Sequence, residues 1–449
     1  MVYFPYEITK GDIIMNKISL VFSGEFFFAA FLLAGYFKGG IPWFPVDITI
    51  FCLCITLIIF LTKIYKKQII IPRQVILSTL IFVAFTAIIL CSCLITESEI
   101  YRNEKTARYL LITSWSFLGV YALINNRKSL EKFINSIIVI ASIVSIVGFV
   151  DVIGNLRTGT YVGTICIMNT NYLAFGRTVG LGLIMLISSK WFKGGEVPRI
   201  YNILILIMAT VILLSGGKMA LIATVCSLLA IMILATRVGS KKMIIVNKGV
   251  LRLTWLFFVA LIVLIPVYLS GSFDDIFWRM ISFFSGGDES TLMRVTLYGT
   301  AIDMIKESPL IGTGWASFPL YFYGIDAKVY SHNIFLELFS ELGIFGLTTF
   351  LLLLIYAIYN GFVKFKKTYH KYNNFQYAII GGFLFFLLNA NSTGDITDNK
   401  ILFTFVALLT ISNTINKFEE KDIKSVEVQT EKKLIRKKKF RNYGGLDRN

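Results

Sequence analysis

The sequence predicts an all-α polytopic membrane protein, and three observations carry that prediction. The 449 residues are 56% hydrophobic and 16% charged, with a mean hydropathy of +0.71, which leaves too few polar groups to cover a water-soluble globule. Apolar runs able to cross a hydrocarbon core of about 30 Å as helices of roughly 20 residues recur along almost the whole length. These runs are continuous, as in "ILILIMATVILL", so the in/out alternation of a transmembrane barrel is excluded. No soluble domain is left over.

Twelve spans are expected, at 18–36, 47–62, 75–94, 108–124, 134–153, 172–189, 199–215, 218–236, 252–270, 343–360, 375–391 and 399–415. The domain plan follows: 1–270 with spans 1–9, 271–342 as one large outer loop carrying short interfacial helices, 343–415 with spans 10–12, and 416–449 as a basic cytoplasmic tail. Lys and Arg of short loops are retained in the cytoplasm, and here they alternate cleanly. Lys63, Lys66, Lys67 and Arg73 follow span 2, Arg127 and Lys128 span 4, and Lys190, Lys193 and Arg199 span 6. Arg237, Lys241, Lys242, Lys248 and Arg252 follow span 8, and Lys364, Lys366, Lys367 and Lys371 span 10. Both termini are therefore expected in the cytoplasm.

The formal net charge of +17 arises mostly from these loops and from the tail "EKKLIRKKKFRNYGG", a solvated arm suited to anionic headgroups of the bilayer rather than to nucleic acid. Cys52, Cys54, Cys91, Cys93, Cys166 and Cys226 lie in or beside apolar runs, with neither disulfide framework nor zinc-ligand spacing. The N-terminal "MVYFPYEITKGDIIMNK" lacks a signal-peptide pattern, so span 1 is expected to stay as an anchor. No internal repeat is visible, which counts against a secondary transporter.

The connection between spans 9 and 10 runs for about 60 residues, from Gly271 to Tyr330. Its helical periodicity is interrupted at Gly286, Gly287 and Pro309, and Gly312 and Gly314 mark a turn. It leads into "SHNIFLELFSELGIFG", which holds one of only two histidines. With Ser331 as N-cap, Asn333, Glu337, Ser340 and Glu341 form a wet stripe opposite Ile334, Phe335, Leu338, Leu342 and Phe345, an interfacial helix. His332 then sits in the first turn, where the helix dipole disfavours imidazolium. A neutral imidazole is what a general base must be.

Cations gather at other outer ends: Arg157, in the stretch "LRTGTYVGTICIMNTNYLAFGR" that also holds Asn171; Arg177 inside span 6; Lys218 opening span 8 in "SGGKMALIA"; Arg279 and Arg294 in the loop. Collected around a membrane-level cavity, they suit an anionic ligand such as a lipid-linked phosphate. Plainer roles stand beside these. A histidine at a helix start can be an ordinary interfacial residue, Lys218 can snorkel from a helix end, and Arg177 can be a structural partner of Glu25 or Asp151. His370, among cytoplasmic lysines, reads as surface. "SGGK" is only half of a phosphate loop, and on the wrong face.

An arginine-bearing helix, "ESPLIGTGWASF", then "SHNIFLELFSELGIFGL", after an earlier "SGGKMALIA", together resemble the O-antigen ligase and O-antigen polymerase superfamily. The resemblance covers about 60 residues directly and the span plan loosely. It implies a build similar to GT-C glycosyltransferases and an enzyme of the bacterial inner membrane. Such an enzyme joins glycans carried on undecaprenyl diphosphate at the outer face, with no cofactor and no metal. The family's histidine corresponds to His332 and its loop arginine to Arg294. Where the family usually has Ser-Arg-Gly, this chain has Lys218, which keeps the charge and loses bidentate geometry. Lipid-linked donor and acceptor glycans, and a chain-length regulator, are the partners implied.

In the chemistry so implied, His332 takes the proton of the attacking sugar hydroxyl and Glu337 orients it. Arg294, Lys218 and Arg177, with Arg157 or Arg279, meet the departing diphosphate, and Asn333 and Asn171 contact the substrate. A polymerase, whose acceptor is another lipid-linked repeat unit, is the leading function. A ligase that transfers to lipid A core is the alternative, and a lipid-linked glycan flippase is the alternative from another class.

Overall fold

The computed structural model describes residues 20–36, 46–67, 72–158, 160–161, 163–167, 171–193, 195–238, 244–245, 247–269, 289–369 and 373–415. Arg279, Gly286, Gly287, Lys241, Lys242, Lys371, His370 and the basic tail lie outside these residues.

The described chain is almost wholly helical. In order the helices are α1 (Gly24–Leu33), α2 (Ile48–Tyr65), α3 (Arg73–Ser92) and α4, which runs as Ile100–Arg108, a π turn at Tyr109–Thr113, and Ser114–Leu123. Then come α5 (Arg127–Thr158), α6 (Tyr172–Trp191), α7 (Arg199–Leu214), α8 (Lys218–Ala235) and α9 (Lys248–Leu269). The remainder are α10 (Glu289–Glu307), α11 (Phe318–Tyr323), α12 (Ile334–Thr368), α13 (Asn374–Ala390) and α14 (Lys400–Ile415). A two-residue antiparallel ladder pairs Arg237 with Ile245 and Val238 with Ile244 in the basic α8–α9 connection.

Each of the twelve expected segments coincides with one of these helices. Six of them, α2, α3, α5, α6, α8 and α12, are long and apolar enough to cross a membrane; α1, α7, α13 and α14 are apolar but shorter. The chain is a multi-pass helical protein whose outward faces on α2 and α3 leave Ile58, Leu61, Leu80 and Val83 exposed, as lipid contact demands.

Packing inside the bundle is by small residues. A Cβ on Gly182 of α6 would lie 2.2 Å from the Ala141 Cβ of α5, and one on Gly180 2.6 Å from Thr224 Oγ1 of α8, so the backbone of α6 lies directly against small side chains of its neighbours. That close approach is how apolar helices associate where lipid offers no hydrophobic gradient. Phenylalanines fill the wider gaps: Phe82 stacks on Phe117 at 4.4 Å, and Phe350 lies against Phe85 and Phe403. α3 packs along α12, α5 along α6 and α8 along α13, which gathers the starts of α4, α6, α8, α12 and α14 at one end.

Candidate active site

The start of α12 is shaped by glycine. Helical hydrogen bonding breaks at Gly343, whose φ is +64°, in the left-handed region that costs a side chain about 1–2 kcal/mol. The carbonyls freed by the break are taken by the preceding loop: Thr313 N donates to Ser340 O and Gly314 N to Glu341 O, each at 3.0 Å, while Ile344 N donates to Pro309 O at 2.9 Å. The loop fits only because it too lacks side chains. A Cβ on Gly312 would fall 2.3 Å from the Glu341 backbone, and one on Gly343 2.2 Å from Leu310 O. The "GTG" and "ELG" stretches are two halves of one joint.

This geometry corrects the expected interfacial helix. Asn333, not Ser331, is the N-cap: its Oδ1 accepts from Phe335 N at 3.0 Å and Leu336 N at 3.2 Å, while Ser331 Oγ donates to Asn333 O. His332 therefore precedes the helix, with φ +58°, a conformation histidine adopts more readily than most side chains. Its ring stands edge-on to Tyr330 at 4.5 Å, and its buried Nδ1 has no hydrogen-bond partner among the described residues. Burial, then the cations Arg294 and Arg177, push its pKa down to about 4. The imidazole is neutral at pH 7, by burial and charge rather than by the helix dipole.

The supposed wet stripe is buried. Glu337 and Glu341 are each 1% exposed, and Ser340 is fully buried, because Lys105 of α4 is buried against them. Lys105 Nζ lies 2.7 Å from Glu337 Oε1 and 2.6 Å from Glu341 Oε2, and 4.2 Å above the Trp315 ring. Ile396 N donates to Glu337 at 3.1 Å and Ala316 N to Glu341 at 2.9 Å. Beside them Tyr101 donates to Asp395 at 2.8 Å. Asp395 is itself buried, which raises its pKa, but Lys105, Lys328, Thr397 and the Asp398 amide outweigh that and hold the carboxyl ionised. Glu337 thus faces Lys105 and the Ile396 amide and makes no hydrogen bond to His332, so its expected orienting role is replaced by a structural one.

Next to this cluster a cavity of about 470 Å³ is lined by four cations, Arg108, Arg177, Lys328 and Lys400, against one carboxylate, Asp398. Lys328 pairs with Asp398 at 2.8 Å, and Arg108 with Glu104. Arg177 donates to Thr393 Oγ1, and its buried Nε has no partner among the described residues. The expected partners of Arg177 are elsewhere: Glu25 acts electrostatically on Lys63, and Asp151 accepts from Asn155. Tyr330 forms part of the cavity wall, and its ring is the one that His332 meets edge-on.

The other expected residues divide. Arg294, on α10, is close enough to bias both His332 and Tyr298, and Tyr298 reaches toward Asn333 and the Asn391 carbonyl. Asn171 lines the cavity but spends its carbonyl capping α6, accepting from Leu173 N at 2.8 Å. Lys218 opens α8 behind Gly216 and Gly217, and Gly176, beside Arg177, packs on that turn. Arg157 is exposed at the end of α5 and does not line the cavity. Sequence reasoning missed Lys105, Arg108, Lys328, Tyr330, Asp395, Asp398 and Lys400. Two signals were present: "TESEIYRNEKTAR" before span 4 and "GDITDNK" between spans 11 and 12 are too polar for mere connections.

The histidine, the arginine helix and the glycine joint fall in one stretch of chain, and so does the match to known families. Residues 203–351 match the O-antigen ligase family model. That segment, about a third of the chain, runs from α7 through the joint into α12 and contains Lys218, Arg294, His332, Glu337 and Glu341. It supports the O-antigen ligase and polymerase superfamily for this protein. No curated protein matches the chain.

Proposed function

We propose that the protein is a polysaccharide polymerase. It transfers a glycan from undecaprenyl diphosphate to a lipid-linked repeat unit of O-antigen or capsule type, at the outer face of a bacterial inner membrane, with both termini in the cytoplasm. One observation carries the proposal: a neutral, half-buried imidazole, whose buried Nδ1 has no partner among the described residues, lies within electrostatic reach of Arg294 and of Arg177, a cation of the cavity wall. The acceptor hydroxyl oxygen attacks the anomeric carbon, its proton passes to His332, and the bond to the diphosphate breaks with inversion. Arg294, Arg177 and the cavity cations Arg108, Lys328 and Lys400 stabilise the departing charge, so no metal is needed. Asn333 holds the His332 arm through its cap. Lys218, Arg157 and Arg279 stand further back in this scheme, as charges that draw the anionic donor in.

The ligase is the second function, favoured by the description of the matched family itself. One experiment separates the two. Purified protein given a single lipid-linked repeat unit makes a ladder of longer lipid-linked glycans if it is a polymerase. A ligase stalls until lipid A core is added, and a flippase leaves the substrate unchanged. His332→Ala abolishes the ladder while the protein stays folded in detergent.

A further inference from the structure

At the end of the bundle away from His332, α2, α3, α4 and α14 enclose a lateral groove of about 990 Å³. Phe60, Val75, Leu80, Trp115, Leu118 and Ile411 make its wall. The polar atoms of its aromatic residues are already engaged: Trp115 Nε1 donates to Thr56 Oγ1 at 2.9 Å, and the Tyr121 hydroxyl bonds Ser78 Oγ at 2.9 Å. With Thr79, Asn125, Asn126 and Thr414 as the rest of its uncharged polar lining, the groove is mostly apolar, at the upper end of the volumes that hold small ligands, roughly 300–1,000 Å³.

Its mouth is basic. Lys67 lines the groove itself, Lys66 and Arg73 are exposed beside it, and none of the three is ion-paired among the described residues. Lys63, one turn deeper, donates to the carbonyls of Ala122 and Leu123 at 3.3 Å each and so ties α2 to the end of α4. Tail-sized apolar space under a cluster of unpaired cations is complementary to an anionic amphiphile. Basic pockets between spanning helices take lipid headgroups for this reason.

We propose that this groove is a binding site for an anionic two-chain phospholipid, its acyl chains between α3 and α4 and its phosphate at Lys66, Lys67 and Arg73. The site is independent of the chemistry assigned to the opposite end. Trp115 supplies the readout. In vesicles, brominated phosphatidylglycerol is expected to quench an emission component that Trp115→Phe lacks, at a lower mole fraction than brominated phosphatidylcholine needs. The triple variant Lys66→Gln/Lys67→Gln/Arg73→Gln, altered only at exposed positions, should lose that preference by on the order of 100-fold. Native mass spectrometry of the delipidated protein with added phosphatidylglycerol should show one retained lipid in the wild type and none in the triple variant. Equal quenching by the two lipids, or an unchanged preference in the triple variant, would overturn the proposal. So would displacement of the bound lipid by undecaprenyl phosphate but not by phosphatidylglycerol.

Discussion

Replacing Lys105 by Met removes the cation from beneath Glu337 and Glu341 and keeps the length of the side chain. Both carboxylates are 1% exposed, and each retains a single backbone donor, Ile396 N or Ala316 N. Glu341 Oε1 already has no partner among the described residues. An uncompensated buried charge of this kind costs about 3–5 kcal/mol even when the original pair added little net stability. Lys105→Met should therefore lower stability by about that amount, measured as a fall in the thermal unfolding midpoint in detergent. In Lys105→Met/Glu337→Gln/Glu341→Gln each amide oxygen still accepts its backbone N–H, and the one charge left beside the site, Asp395, keeps Tyr101, Thr397 and the Asp398 amide, so most of the loss should return. A single variant within about 0.5 kcal/mol of wild type, the range of an ordinary surface change, would refute the buried cluster. A triple variant no better than the single would refute charge as the cause.

Arg294→Gln withdraws a cation that disfavours imidazolium, so the His332 pKa should rise from about 4 toward its ordinary 6.5. The acid limb of the kcat/KM profile should move up with it, and a stationary limb would show that His332 does not set that limb. Asp326 accepts from Ser98 Oγ and from the amides of Glu99, Ile100 and Tyr101 at 2.7–3.0 Å, bonds that outweigh its burial and hold its pKa to about 2 against a usual 3.8. Its stabilising effect is complete above about pH 4 and is lost as pH falls toward 2. Asp326→Ala should lower stability at pH 7 by about 0.5–2 kcal/mol, and by progressively less in acid, followed by unfolding at a series of pH values. Gly312→Ala places a methyl group against the Glu341 backbone at φ +76°, and should cost about 1–3 kcal/mol or more along with glycan joining, whereas Gly154→Ala, exposed on α5 with nothing within 4 Å, should be neutral.

What was legible in the sequence was whatever depends on near neighbours. Continuous apolar runs mark the helices, and Gly312 and Gly314 mark a turn, although not that it closes on Gly343. His332 and Arg294 stood out as polar residues where polar residues are scarce. The misreadings come from long-range contacts. Helical spacing assigned Glu337 and Glu341 to a wet face, because nothing local reveals that Lys105 arrives from 232 and 236 positions away to neutralise them. Likewise Glu99, at the N-cap of α4, makes no side-chain cap bond and Ser98 takes only the Arg102 amide; Asp326 caps the other first-turn amides from another segment. The short polar stretch "GDITDNK" carries Asp395, which meets Tyr101, and Asp398, which meets Lys328, partners that no local pattern names.

The distance along the chain between Lys105 and its carboxylates also orders events during synthesis. α4 leaves the ribosome with a lysine near its first turn and no counter-charge anywhere in the chain already made that the finished structure pairs with it. At roughly 5–20 residues per second, the 236 positions to Glu341 take on the order of 10–50 s to translate. Throughout that interval the ammonium must stay hydrated at the membrane surface, which holds the polar first half of α4 out of the hydrocarbon. Only when α12 arrives does burial become favourable, and the Ile396 amide that completes the Glu337 site comes later still. The last third of the polypeptide therefore finishes the insertion of its first third, and a chain truncated before α12 is left with an unburied α4.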